Sequence, residues 1–218
     1  MKRIFLKSWI AAVLFAGACC VMTACNDDDN NGGQNPPVDP DTAVVIGDYA
    51  GTMNSVDAAP LEGGEEPAGT AVEASVTDAA VSFADLPVRD LIVRILGDLG
   101  LPSDDETVDG IIAGLGKIAY EIPYTATAAE DKSTVNMTLS PAELAFTLAV
   151  EGGETTADGS EEPAGMEIVV TVESDADAVF TVESKNLVFD LSVAGVKCAG
   201  AELEGFEPFT LHFDLTQK

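Results

Sequence analysis

Apolar and polar residues alternate with a period of two through most of the chain after residue 43. Ile118, Tyr120, Ile122, Tyr124 and Ala126 fall on one side of one such stretch, with Lys117, Glu121, Thr125 and Thr127 on the other. Val135, Met137 and Leu139 alternate with Asn136, Thr138 and Ser140. Leu144, Phe146, Leu148 and Val150 alternate with Ala145, Thr147 and Ala149. The rhythm returns over Met166–Val172, Leu187–Val193 and Phe209–Leu215. A strand turns successive side chains to opposite faces, so this pattern arises when one face packs on a core and the other meets water. With further runs at 44–53, 70–77, 79–84 and 178–183, the chain is expected to be mainly β, with about ten antiparallel strands in a meander. Such a meander closes as a β-sandwich or curls into an open barrel.

One region departs from the rhythm. Val88, Leu91, Ile92, Ile95 and Leu96 recur at helical spacing; Pro87 suits a first turn and Gly97 a stop. Asp85 and Asp90 stand four residues before Arg89 and Arg94, the favourable order for ion pairs along a helix. A second helix is predicted over 104–115, from a capping box of Ser103 and Glu106 and the stripe Val108, Ile111, Ile112 and Leu115. One short helical hairpin is thus expected near 86–116. It either covers an end or face of the sheet as ordinary core, or forms a lid over a cavity.

The start of the chain has a different character. Lys2, Arg3 and Lys7 precede the apolar run Trp9–Ala16, which is too short to span a bilayer and reads as an export signal, residues 1–24. Cys25 follows Met22-Thr23-Ala24, a stretch similar to the cleavage box of bacterial lipoproteins; Cys19, after Ala16-Gly17-Ala18, is the alternative lipidation site. Ordinary secretion with cleavage near Ala24 is the other reading. Residues 25–43 are rich in Asp, Asn, Gly and Pro and are expected to form a disordered acidic tether. A single β-rich domain, 44–218, follows. Asp27, Asp28 and Asp29 resemble the surface-export signal of Bacteroidetes lipoproteins; the plainer reading is that they solvate the tether. Asp41-Thr42-Ala43 resembles the short O-glycosylation motif of the same bacteria, with Thr42 as the acceptor.

An internal echo is also present. Glu-Glu-Pro-Ala-Gly occurs at 65–69 and at 161–165, each time before a strand, an acidic turn and another strand. This predicts two equivalent units of strand, long loop, strand, tight turn, strand. Turn chemistry alone also favours such residues.

Four stretches carry a family likeness: Ile46-Gly47-Asp48-Tyr49-Ala50-Gly51-Thr52-Met53, Phe83-Ala84-Asp85-Leu86-Pro87-Val88, Ile118-Ala119-Tyr120-Glu121-Ile122 and Leu187-Val188-Phe189-Asp190-Leu191. With the leader and tether, they resemble Bacteroidetes surface lipoproteins of domain-of-unknown-function family 4840, a likeness covering most of 44–218. That family implies no activity and no site residues. Gly47-x-Tyr49-x-Gly51 is also similar to the first strand of small lipocalin-like domains, which implies a curled sheet with an interior.

Charge and chemistry narrow the functional classes. The 218 residues hold 38 Asp+Glu against 10 Lys+Arg, a net charge of −28; loss of the leader removes three cations and moves it to −31. Such a chain repels phosphates, so a nucleic-acid partner is not expected. A Ser/His/Asp site needs an oriented His. His212 is the only His, and it lies out of phase with the core strip on the same face as Asp214, as a surface residue would. Cys198, beside Lys197, is the one cysteine beyond the leader region and reads as a structural thiol. One His and one such Cys cannot complete a zinc tetrahedron. Carboxylate pairs are too numerous to single out a glycosidase dyad, and the mature chain offers only Tyr49, Tyr120 and Tyr124, and no Trp, as sugar platforms. No catalytic, cofactor or metal residues are assigned. Calcium is the one ion that acidic loops would take, at Asp104/Asp105/Glu106, Asp158/Glu161/Glu162 or Asp175/Asp177, none with EF-hand spacing.

The expected protein is a lipid-anchored outer-membrane protein facing the cell exterior. Its expected function is a non-enzymatic binding or interaction module for an unknown protein, glycan or small molecule. The alternatives are a lipocalin-like carrier of a small apolar ligand, testable by an enclosed cavity, and a structural or adhesion subunit with an unpaired edge strand.

Overall fold

The alternating stretches form eleven strands: β1 (Gly47–Asp57), β2 (Thr70–Val76), β3 (Ala80–Phe83), β4 (Tyr120–Ala128), β5 (Thr134–Leu139), β6 (Leu144–Val150), β7 (Ala164–Glu173), β8 (Ala178–Thr181), β9 (Asn186–Cys198), β10 (Ala201–Glu202) and β11 (Phe209–Gln217). Helices α1 (Arg89–Asp98) and α2 (Asp105–Leu115) separate β3 from β4, and a 3-10 turn, Ala43–Val45, precedes β1. The computed structural model describes residues 39–57, 69–150 and 164–218.

Strands β1, β2, β3, β4, β5, β8, β9 and β11 pair in that order, and β11 returns to β1 through a register running from Tyr49↔Gln217 to Asp57↔Phe209. The result is a closed, antiparallel, eight-stranded barrel. Closure leaves no edge along that pair, which an open barrel or a sandwich would expose.

Of the remaining strands, β10 is a two-residue return that pairs with β9, and β6 and β7 continue barrel strands. β7 and β8 both run antiparallel to β9 on the same side of it, so they point the same way. β5 pairs with β8 and β6 with β7, so β5 and β6 also form one bent strand. Pro141 sits at that bend, where a missing N–H ends regular pairing. β6, β7 and the end of β9 thus project past the barrel as a flap. This corrects the predicted repeat. The first unit turns back at 77–79 into the β2–β3 hairpin, whereas 174–177 is a kink and the chain runs straight on. The pentapeptides themselves lie largely outside the described residues.

The alternation fills the barrel. Tyr49, Ile122, Met137, Phe180, Leu187, Leu191, Phe213 and Leu215 are fully buried. Phe213 stacks on Phe189 at 4.6 Å between ring centres and meets Phe83 at 5.3 Å; Tyr49 meets Phe180 edge-on at 6.3 Å. Eight strands enclose a space that side chains just fill. Gly51 lies in the tightest part of the wall. A Cβ there would stand 1.9 Å from the Asp214 carbonyl oxygen and 2.8 Å from Leu215 Cα. This close approach of β1 to β11 gives the second glycine of Gly47-x-Tyr49-x-Gly51 a physical reason.

The two barrel ends differ. At one, the connections 77–79, 129–133 and 182–185 are short, and the 3-10 turn packs in, with Val45 fully buried. Tyr49 Oη donates to the Val45 carbonyl at 2.6 Å, and Gln217 Nε2 donates to those of Val44 and Ile46. The described residues begin at this end, at Asp39. Thr42 and Ala43 N–H both donate to the Asp39 carbonyl, and Asp41 pairs with Lys132 at 2.8 Å. Residues 39–43 therefore pack onto this end of the barrel. Among the described residues, the opposite end carries the helices, the flap and 199–208.

The helical hairpin forms where predicted, with different polar contacts. Asp104, not Ser103, caps α2, its carboxylate accepting from Thr107 N–H at 3.1 Å and from the Thr107 hydroxyl at 2.9 Å. Arg89 reaches across to Asp105 (3.2 Å) and Asp109 (2.6 Å) on α2. Arg94 donates to Ser55 Oγ and lies 4.2 Å over the Phe209 ring. Leu91, Ile92, Ile95 and Leu96 are buried in the main core. At about 1.5–3 kcal/mol for each such side chain, α1 is a plug and not a loosely held lid.

Candidate binding surface

A lid would need something to cover. Beneath the start of α1 lies an apolar crevice of about 20 Å3, bounded by Met53, Leu86, Leu144, Val172 and Leu211. That is the scale of one water molecule, far below the several hundred Å3 of a ligand pocket. The barrel interior is core.

The outer wall is less complete. β2 and β3 share only Ser75↔Ser82 and Val76↔Val81 before they fork. β3 stays with β4 through Phe83↔Tyr120, and the chain continues there, Leu86 N–H donating to the Ile118 carbonyl at 2.7 Å. β2 instead follows β1 to Met53↔Thr70. Among the described residues, Thr70–Ala74 therefore has a strand neighbour on one side only. A groove of about 430 Å3 opens in the fork, between Glu73–Ser75 and Ser82–Ala84, with Asp48 and Lys218 on its rim. Lys218 Nζ stands 2.5 Å from Glu73 Oε1, and this hydrogen bond and charge hold the Glu73 carboxyl below its ordinary pKa. A second groove of about 300 Å3 lies against the end of β9, lined by Thr171, Gly195, Lys197, Glu202 and Phe206. It sits beside the register shift at Thr171/Val172.

The residues singled out from sequence do not converge. Cys25, Cys19, Asp27, Asp28 and Asp29 lie outside the described residues. Thr42 lies on the turn that opens the described residues, its hydroxyl donating to the Asp39 carbonyl at 3.0 Å. His212 points outward as expected, but its partner is Asp190, opposite it on β9, with Nδ1 2.6 Å from Oδ1. Asp214 instead accepts from Asn186 Nδ2 at 2.6 Å. The described hydrogen bonds join His212 to no hydroxyl or thiol. Burial pushes the Cys198 thiol up, opposite to an activated nucleophile. All three tyrosine hydroxyls make structural bonds: Tyr49 to Val45, Tyr120 to Ala142 and Tyr124 to Thr77.

The calcium candidates fare similarly. Asp104 caps α2, Asp105 pairs with Arg89, and Asp177 accepts from Thr138. Asp158, Glu161 and Glu162 lie outside the described residues. Among the described residues, no three Asp, Glu, His or Cys side chains converge as metal ligands.

Comparison with known families gives one match: the model described as domain of unknown function (DUF4840) fits residues 44–198. The chain belongs to the DUF4840 family. No curated protein and no solved structure matches it. In this DUF4840 domain the matched segment stops before β11, the strand that closes the barrel. Sequence reasoning missed the fork beside β2, because its signal is the point at which β3 leaves its neighbour, a matter of pairing and not of residue pattern.

Proposed function

We propose that this DUF4840 protein is an exported lipoprotein of the outer membrane that displays a non-enzymatic binding module at the cell surface. The observation that carries the reading is the polarity of the barrel. The first described residues lie at the end with short connections, while the helices, the flap and 199–208 lie at the other. A lipid on Cys25 and a polar tether would hold the first end toward the membrane and turn the elaborated end outward. The filled barrel moves recognition from the interior to the outer surface and favours this reading over an apolar-ligand carrier. The surplus of carboxylates keeps such a displayed domain soluble and steers it to cationic or neutral partners. A glycan on Thr42 would replace its hydrogen bond to Asp39, so it is expected on the chain before this turn folds.

The test is localisation of the full chain in its native bacterium. The unaltered protein is expected in the membrane fraction, labelled by an alkyne fatty acid, and cleaved by protease added to intact cells. Cys25→Ser should lose the label and leave the membrane. Substitution of Asp27, Asp28 and Asp29 by Ala should keep the label and lose protease access. A soluble, unlabelled wild-type protein would refute the anchor. A labelled protein shielded in intact cells would refute the display.

A further inference from the structure

We propose that the fork between β2 and β3 is a strand-addition site for an extended, basic segment of a partner protein. The inference deepens the binding-module reading by naming the partner class.

Among the described residues the unpaired side of β2 spans Thr70–Ala74, long enough for about five residues at 3.3 Å each. An unpaired strand edge presents N–H and C=O groups to any chain that can lie beside it, and proteins usually guard such edges with lysine, proline or a bulge. β2 reads Thr-Ala-Val-Glu-Ala-Ser-Val, with none of the first two, and its register with β1 is unbroken. Among the described residues a groove opens beside Glu73–Ser75, whereas β6, whose strand partner is β7, has α2 lying against it.

Charge selects the occupant. Val72 and Ala74 face the core, and Ala71, Glu73 and Ser75 face out. A strand added here would set an outward side chain opposite Glu73, the position at which opposite charges attract across a sheet. Asp48 adds a second carboxylate on the rim. Lys218 now occupies the place such a cation would take. Its backbone N–H donates to the Asp48 carbonyl at 2.9 Å, and its side chain can swing away with that bond intact. A second copy of the chain would bring the same excess of carboxylates.

The test uses the purified folded chain and fluorescein-labelled peptides of seven residues, alternating Val and Thr, with Lys at the central outward position. One control carries Glu in place of Lys, and one carries N-methyl groups on alternate amides. In fluorescence anisotropy the Lys peptide is expected to bind saturably and more weakly at high salt, and neither control should bind. Glu73→Lys should weaken binding about fivefold or more, since attraction becomes repulsion. Lys218→Ala should strengthen it, because the internal competitor is gone. Circular dichroism of both variants separates these effects from misfolding. Equal binding of the Lys and Glu peptides, indifference to N-methylation, or no saturable binding would overturn the proposal. So would weaker binding by Lys218→Ala, or a dimer in sedimentation that Glu73→Lys abolishes, which would assign the edge to a second copy. None of these outcomes bears on anchoring, so failure here and failure of the display reading are distinguishable.

Discussion

Replacing Phe213 by Ala tests directly whether the barrel is core or container. Phe213 is fully buried between Phe189 and Phe83, at 4.6 and 5.3 Å. In a packed interior the substitution removes a ring from contact on both faces and leaves a hole that the closed wall cannot collapse into. Phe→Ala in such a setting costs about 3–5 kcal/mol. For a domain of this size each kcal/mol shifts Tm by about 2–4 °C, so Tm should fall by about 6–20 °C. The variant should also gain a property. An enclosed apolar void of that size admits benzene, so saturating benzene should raise the Tm of Phe213→Ala and leave the wild type unchanged. A loss below about 1 kcal/mol would mean that the interior already holds space or solvent around the ring. A wild-type Tm that rises with benzene or with a fatty acid would restore the carrier reading.

Other consequences are as direct. Gly51→Ala should disrupt closure of the barrel, because its Cβ meets backbone of β11 at 1.9 Å and no side chain can move aside. Far-ultraviolet circular dichroism and protease resistance should both be lost, and an ordinary melt would refute the contact. Burial pushes the Tyr120 hydroxyl up to about 12, and that of Tyr49 higher. The unfolded chain then sheds these protons first, so stability is full below about pH 10 and lost as pH rises toward 12, by about 3 kcal/mol for Tyr120 alone. Urea midpoints at pH 8, 10 and 11 should fall in that order, less steeply in Tyr120→Phe; a flat series would show that these hydroxyls are solvated. Asp104→Ala should lower Tm and Ser103→Ala should not. Hydrogen bonds from Thr107 hold the Asp104 carboxyl below its ordinary pKa, so the difference should vanish as pH falls through that depressed value.

The hydrophobic rhythm made the strands legible because it records burial, which is local. Tyr120 and Ile122 are buried with Glu121 exposed between them, as the alternation required. The helices were legible for the same reason, although the cap moved one residue from Ser103 to Asp104. The illegible parts all depend on pairing between distant segments. Alternation is identical in a sandwich and a barrel, so only the β1–β11 register decides between them. The acidic stretch after β7 has turn chemistry, yet β9 holds both β7 and β8 on one side and keeps the chain straight. His212 was matched to Asp214, two residues along its own strand, because Asp190 becomes its neighbour only through the β9–β11 register. Among the candidate site residues, Cys25, Cys19, Asp27, Asp28 and Asp29 rest on residue order and motif likeness and lie outside the described residues.

The seam between β1 and β11 also sets an order of events for the molecule. It joins the first strand of the domain to the last, so it is the pairing of longest sequence separation and the slowest to form by chain search. Until Phe209–Gln217 has arrived, β1 and β9 both lack a partner on their β11 sides, and Phe189 and Phe83 lack the ring of Phe213. A chain threaded through a membrane from its N-terminus would therefore stay open until its final segment emerged. The geometry that makes the finished barrel hard to undo leaves the unfinished one open along a whole seam.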